Sequence, residues 1–144
     1  MLIVDDTLSA IDSIFVKNNI VSVAATRLIW WESPGNSVLS NNLYYDTDYT
    51  NKFFSDISAT SSLAAWQAAN SQDANSVQGN PLFTTAGSDF TLKANSPAID
   101  AGVDLGATYK LDYSGSDQYN DSRWDIGAYR FRKRGGIPVS FFTY

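Results

Sequence analysis

The chain has 144 residues, 44% of them hydrophobic and 14% aromatic, which is enough apolar material for one domain with its own core. It contains no Cys and no His, so disulfides, thiolate or imidazole metal ligation, thiol catalysis and His-based triads are excluded. The net charge is −5, yet residues 1–122 carry 14 acids against 5 bases and residues 123–144 carry 1 acid against 5 bases; the acidic body lacks the basic face that nucleic acid requires.

The N-terminal stretch MLIVDDTLSAIDSIF has acids where a signal peptide carries bases, and no window of the chain reaches the roughly 18 apolar residues of a membrane span. Its adjacent acids Asp5 and Asp6 would point to opposite faces of a strand and cannot share a substrate. Next comes FVKNNIV (Phe15 to Val21), which recurs as VLSNNLY (Val38 to Tyr44). The Asn pair moves from 18 to 41, a shift of 23 residues. SVLSNNLY then reappears as SVQGNPLF, with the serine moving from 37 to 76, a shift of 39. The apolar residues alternate within each copy, which reads as short strands with Val16, Ile20, Leu43, Val77 and Leu82 facing inward. Asn tolerates the left-handed conformation, so Asn18, Asn41 and Asn80 can turn the chain at one point of successive coils and stack their amides. A 23-residue period suits one turn of a β-solenoid better than a helical repeat. The predicted fold is therefore all-β: a solenoid of parallel strands, a parallel β-helix of a few coils over residues 1–131, with one short inserted α-helix and a C-terminal cap.

Between the first two copies, Arg27-Leu28-Ile29-Trp30-Trp31 alternates as a strand. With Leu28 and Trp30 counted as core, Trp31 faces out. Tyr44 follows inward Leu43 and also faces out, with Tyr45 and Tyr49 nearby. Exposed Trp and Tyr offer a flat apolar face and a polar edge, which suits sugar rings; packing beneath a loop is the competing reading. Asp46 and Asp48 in DTDYTN can share one side and are the candidate ligands for Ca2+, the one cofactor that the residues suggest. The segment lacks the Gly and distal Glu of an EF-hand, with Ile57 in the Glu position, so a solvated turn competes with the metal reading. No convincing catalytic set emerges: Lys17, Arg27, Lys52 and Lys93 are scattered singly.

The inserted helix is expected over about 61–70, where Ser61 or Ser62 can cap an Ala-rich run and Leu63 and Trp66 share a face. A terminal cap spans about 89–131: DFTLKANSPAIDAG, a polar loop over 103–123, and a last strand in WDIGAYRF. Asp100 and Asp125 read as turn-holding residues there, and Asp121/Asp125 is a further acid pair. Residues 132–144 form a basic-aromatic tail.

SLAAWQAANSQDANSVQGNPLF, FTLKANSPAIDAG and RWDIGAYRF, in that order, resemble the last coils of secreted right-handed parallel β-helix proteins of the choice-of-anchor Q and pectate lyase-like group. Arg130 stands where that group often carries an acid. The resemblance implies an extracellular or cell-surface protein whose ligand is a polysaccharide. The reading preferred for this chain is a carbohydrate-binding module using Trp31, Tyr44, Tyr45 and Tyr49. The alternatives are the C-terminal part of a polysaccharide lyase or glycoside hydrolase with its catalytic coils upstream, and a structural cap without a ligand. In any of these, the apolar N-terminal end (Leu2, Ile3, Val4, Leu8, Ile11, Ile14) is expected to be covered by upstream coils or another chain. The tail residues Phe141, Phe142 and Tyr144 are one candidate cover.

Overall fold

The computed structural model describes residues 2–5, 13–22, 26–32, 37–50, 52–55, 59–118 and 123–132. Asp6, Leu8, Ile11, Ile57, Asp121 and the tail from 133 onward lie outside them, as do the side chains of Leu2 to Asp5.

The strands are short, and they assemble in four small sheets among the described residues. The first sheet joins β1 (Leu2–Asp5), β4 (Ile29–Glu32) and β7 (Phe53–Ser55) in parallel and ends on an antiparallel β8 (Ala59–Thr60). The second pairs β2 (Phe15–Lys17) with β5 (Val38–Ser40), and the third orders β3 (Ile20–Ser22), β6 (Leu43–Tyr45) and β9 (Val77–Gln78), all parallel. The fourth is an antiparallel hairpin of β10 (Phe83–Thr85) and β11 (Asp89–Leu92). Helix α1 (Leu63–Asn70) follows β8, with the Ser62 hydroxyl accepting from Ala65 N–H and Ser71 closing the last turn in a left-handed conformation.

This arrangement corrects the expectation of a parallel β-helix. Short strands in separate sheets, two of which contain antiparallel pairs, replace a single stack of parallel coils. The proposed third copy of the repeat is where the expectation fails. Between the first two copies, Asn19 meets Asn42 with a separation of 23 residues, and Ile20 pairs with Leu43. In the third, Val77 pairs with Leu43 rather than lying under Val38, and Asn42 meets Ser76 with a separation of 34 rather than 39. Pro81, which has no N–H to donate, follows directly, and Asn80 bonds only locally to Leu82 N–H. Left-handed backbone occurs at Asn18 and Asn41 but not at Asn80; Leu82 adopts it instead. The first Asn of each pair meets its counterpart through the backbone, Asn18 N–H donating to Asn41 O at 2.9 Å, while the side-chain amides turn to the 101–103 segment. Asn18 bonds both ways with Val103, and Asn41 donates to Ala101 O. The amide-to-amide contact belongs to the second pair, in which Asn42 Oδ1 accepts from both the backbone and side chain of Asn19.

Successive strand residues face opposite sides, and the third sheet is covered on both. Tyr44 enters a core with Leu28, Ile29, Trp31, Leu39, Phe53, Leu63 and Trp66, against which Val16 and Val21 pack. Leu43 enters a second core with Leu92, Ala98 and Ile126, joined by Ile20, Val77 and Phe83. The chain after residue 82 supplies that second layer. Leu43 and Tyr44 are therefore adjacent and both fully buried. Outside the first core, Phe15 and Val38 stay exposed in register, and Trp30 packs at a tilt against Phe54 at 5.3 Å.

Two segments of the C-terminal part are tied together where Gly102 bridges Trp124, with Gly102 N–H donating to Trp124 O at 2.7 Å. A Cβ on Gly102 would lie 2.7 Å from Asp125 O and 2.9 Å from Trp124 O, both backbone atoms that cannot swing aside. Gly102→Ala is expected to lower the unfolding free energy by about 1–3 kcal/mol, read as a lower urea midpoint at unchanged slope.

Candidate functional site

The aromatic residues expected to form an outer face do not form one. Leu28 lies just ahead of β4, so the strand's alternation begins at Ile29: Ile29 and Trp31 point in, and Trp30 points out. Trp31 is 7% exposed and meets Trp66 edge-on, and Tyr44 is fully buried. Tyr49 is half-buried, stacked on Phe53 with its hydroxyl toward Tyr44 O, while half-buried Tyr45 packs against the other core.

Asp46 and Asp48 are likewise engaged by their own loop. Asp46 Oδ1 accepts from Thr47 and Asp48 N–H, and its Oδ2 lies 3.2 Å from Lys52 Nζ in a largely buried ion pair. Burial acts to raise the Asp46 pKa, but the N–H of Asp48, Lys52 and Thr47 N–H outweigh it and hold the carboxyl below its ordinary value. The cation at this carboxylate is the chain's own Lys52. Asp48 caps Thr50 N–H, which holds its pKa low as well. Among the described residues, no three or more acidic side chains gather in a way that could hold a metal ion.

Two polar centres organise the rest. Asp73, fully buried and left-handed, accepts from Asn42 Nδ2, Tyr44 Oη, Ser76 Oγ and Trp66 Nε1 at 2.6–3.1 Å. Burial first, and then the Asp73 charge, push the Tyr44 pKa well above its ordinary value. Asp112 plays the same part in the C-terminal loop. Its Oδ1 accepts from Ser114 N–H, Ser114 Oγ and Ser116 N–H, and its Oδ2 from Arg130 N–H at 3.0 Å. Burial acts to raise the Asp112 pKa, but these hydrogen bonds outweigh it and hold the carboxyl below 3.8.

Asp112 thereby shapes one wall of a cleft of about 440 Å³. A turn in which Gly106 N–H caps on Asp104, followed by a 3-10 helix over Ala107–Tyr109, carries the chain to this wall. Tyr109, Leu111 and Tyr113 line the cleft and are 65%, 57% and 80% exposed. Opposite them stand Trp124, Asp125, Gly127 and Ala128, with Lys17 and Asn18 from the first repeat. Asp125 is fixed by accepting from Asp100 N–H at 2.8 Å and Phe131 N–H at 2.5 Å. Tyr113 N–H donates to Ala128 O, joining the two walls. Trp124 Nε1 and Gln118 Oε1 are buried here without a hydrogen-bond partner, one a donor and the other an acceptor. Such atoms are costly unless something completes them. Reading residues 103–123 as a featureless polar loop misses this site. The available signal is the presence of three large apolar or aromatic residues, Tyr109, Leu111 and Tyr113, within five positions of an otherwise polar and Gly-containing stretch.

Three outcomes check this geometry. Trp31→Ala is expected to cost about 3–5 kcal/mol of stability by emptying a core position. Tyr44→Phe removes a hydrogen bond to a buried carboxylate and is expected to cost about 1.5–3 kcal/mol; equilibrium urea unfolding reads both. Because the folded-state pKa of Asp112 is depressed, its stabilisation is present above the unfolded value of about 3.9 and is lost as pH falls through the folded value. Asp112→Asn should lower stability at pH 7 and flatten the acid limb of the stability–pH curve below about pH 4.

Comparison of the chain with family models, curated proteins and solved structures finds no match.

Proposed function

We propose that the chain is a glycan-binding module of a secreted or cell-surface protein, and that the glycan lies in the cleft beside Tyr109 and Tyr113. The observation that carries this reading is the pairing of exposed tyrosines with two unpartnered polar atoms in one cleft. Small-ligand sites typically combine apolar or aromatic walls with a few placed polar groups in about 300–1,000 Å³. The tyrosine rings present flat faces to C–H surfaces and hydroxyls to sugar oxygens. Trp124 Nε1–H and Gln118 Oε1, both closed to solvent in this structure, are a donor and an acceptor for a hydroxyl once the walls part around it.

Holding a sugar suits these residues better than cleaving one. Asp112 and Asp125 are the carboxylates of the cleft, and both accept backbone N–H bonds on each oxygen. A general acid or base needs a carboxyl oxygen free to meet the substrate.

Binding on a glycan array, followed by calorimetric titration of the best ligand, tests the reading. Tyr113→Ala is expected to weaken binding about tenfold, or about 1.4 kcal/mol, with little change in stability, since Tyr113 is 80% exposed. Trp124→Phe removes only the N–H and should weaken binding to a similar degree, while Trp30→Ala on the far sheet should leave it unchanged. Equal binding by wild type and Tyr113→Ala overturns the site, and absence of binding to any glycan overturns the function.

A further inference from the structure

The tyrosine-walled cleft does not end at Ala128. A second cavity of about 340 Å³ adjoins it, lined by Asn19, Ile20, Phe83 and Phe90. Asn18, Gly127 and Ala128 line both cavities. Phe90 is 48% exposed and held edge-on against Phe83 at 5.2 Å, so an aromatic platform stands at this end too. Between the platforms the chain is small-sided. Gly127 has φ 112°, a backbone conformation that calls for glycine, and the Cβ it lacks would lie 2.8 Å from Ile20 Cδ1. Its N–H is tied to Asn18 O at 2.9 Å, which fixes this low saddle against the first repeat.

Resting on the glycan reading above, we propose that the two cavities form one groove that takes an extended, neutral oligosaccharide rather than a single sugar. The tyrosine end and the Phe90 end act as separate subsites, and the saddle at Gly127 and Ala128 lets the chain cross. Each cavity alone is near the lower end of the size of small-ligand sites, so a compact ligand fills one and leaves the other open. Exposed Asn19 places polar atoms at the second subsite. Neutrality follows from the lining: Lys17, Asp112 and Asp125 are the charged groups of the first cavity, a balance of −1, and the second cavity has none. With a net charge of −5 on the whole chain, the field disfavours a polyanion.

The experiment is calorimetric titration of the whole chain with cellobiose, cellotetraose and cellohexaose, a matching malto-oligosaccharide series, and an oligogalacturonate of comparable length. Affinity is expected to rise about tenfold from the disaccharide to the longest oligomer of the preferred neutral series, the gain from adding a second aromatic subsite. Phe90→Ala should return the longest oligomer to disaccharide affinity without changing the disaccharide, since Phe90 lines only the second cavity, whereas Tyr113→Ala should weaken every length. Thermal melts verify folding of each variant. Length-independent affinity, or an equal effect of Phe90→Ala on all lengths, overturns the two-subsite groove while leaving the glycan reading intact. Preference for oligogalacturonate overturns neutrality, and failure of every series to bind overturns the groove together with the reading beneath it.

Discussion

The Asp73 carboxylate is the interaction on which the rest of the first core depends. It is fully buried, and it gathers donors from the β6 region (Asn42, Tyr44), from α1 (Trp66) and from the turn before β9 (Ser76). A buried carboxylate is tolerable only when its oxygens are fully met by hydrogen bonds. That requirement forces those segments to converge on one point. It orients Trp66 into the core, holds the helix over the sheets, and sets β9 against β6. Gln67 strengthens the clamp by donating to Asp73 O.

The consequence is a central sheet with an apolar layer on each side. Tyr44 and Val21 serve the first core, while Leu43, Ile20 and Val77 serve the second. A sheet buried on both faces can no longer use its outer side chains to meet a ligand. The cleft proposed for recognition lies instead at the rim, where residues 104–118 and 123–128 meet the edge of the first repeat. Asn18 links these levels: it turns the first repeat through a left-handed conformation, bonds Val103 both ways, and lines the cleft.

The C-terminal loop is stiffened by carboxylate hydrogen bonds, both local and between distant segments, rather than by strands. Asp112 and Asp125 each accept backbone N–H groups, so the carboxylates substitute for a ladder of sheet hydrogen bonds. Tyr109 and Tyr113 stay largely on the surface, Tyr113 resting edge-on against Tyr129 at 5.5 Å, over a backbone that is already held.

The amino-acid sequence by itself determined the features that act over a few residues or at a fixed interval. Lack of Cys and His closes whole classes of chemistry; Ser61 or Ser62 before an Ala-rich run marks a capped helix; and the 23-residue spacing of two Asn pairs marks a register, since both first Asn residues need left-handed backbone. Tertiary structure alone decided which side each strand presents and what covers it. Trp30 and Trp31 exchange roles according to whether Leu28 lies in the strand, because a shift of one residue reverses every side chain. The third repeat settles at a separation of 34 because Asp73 and Pro81 constrain β9 in ways that matching letters do not record. The candidate cleft has no contiguous motif: it joins Asn18 to Ala128 and Phe90 through space, and only long-range packing brings such distant residues onto one groove.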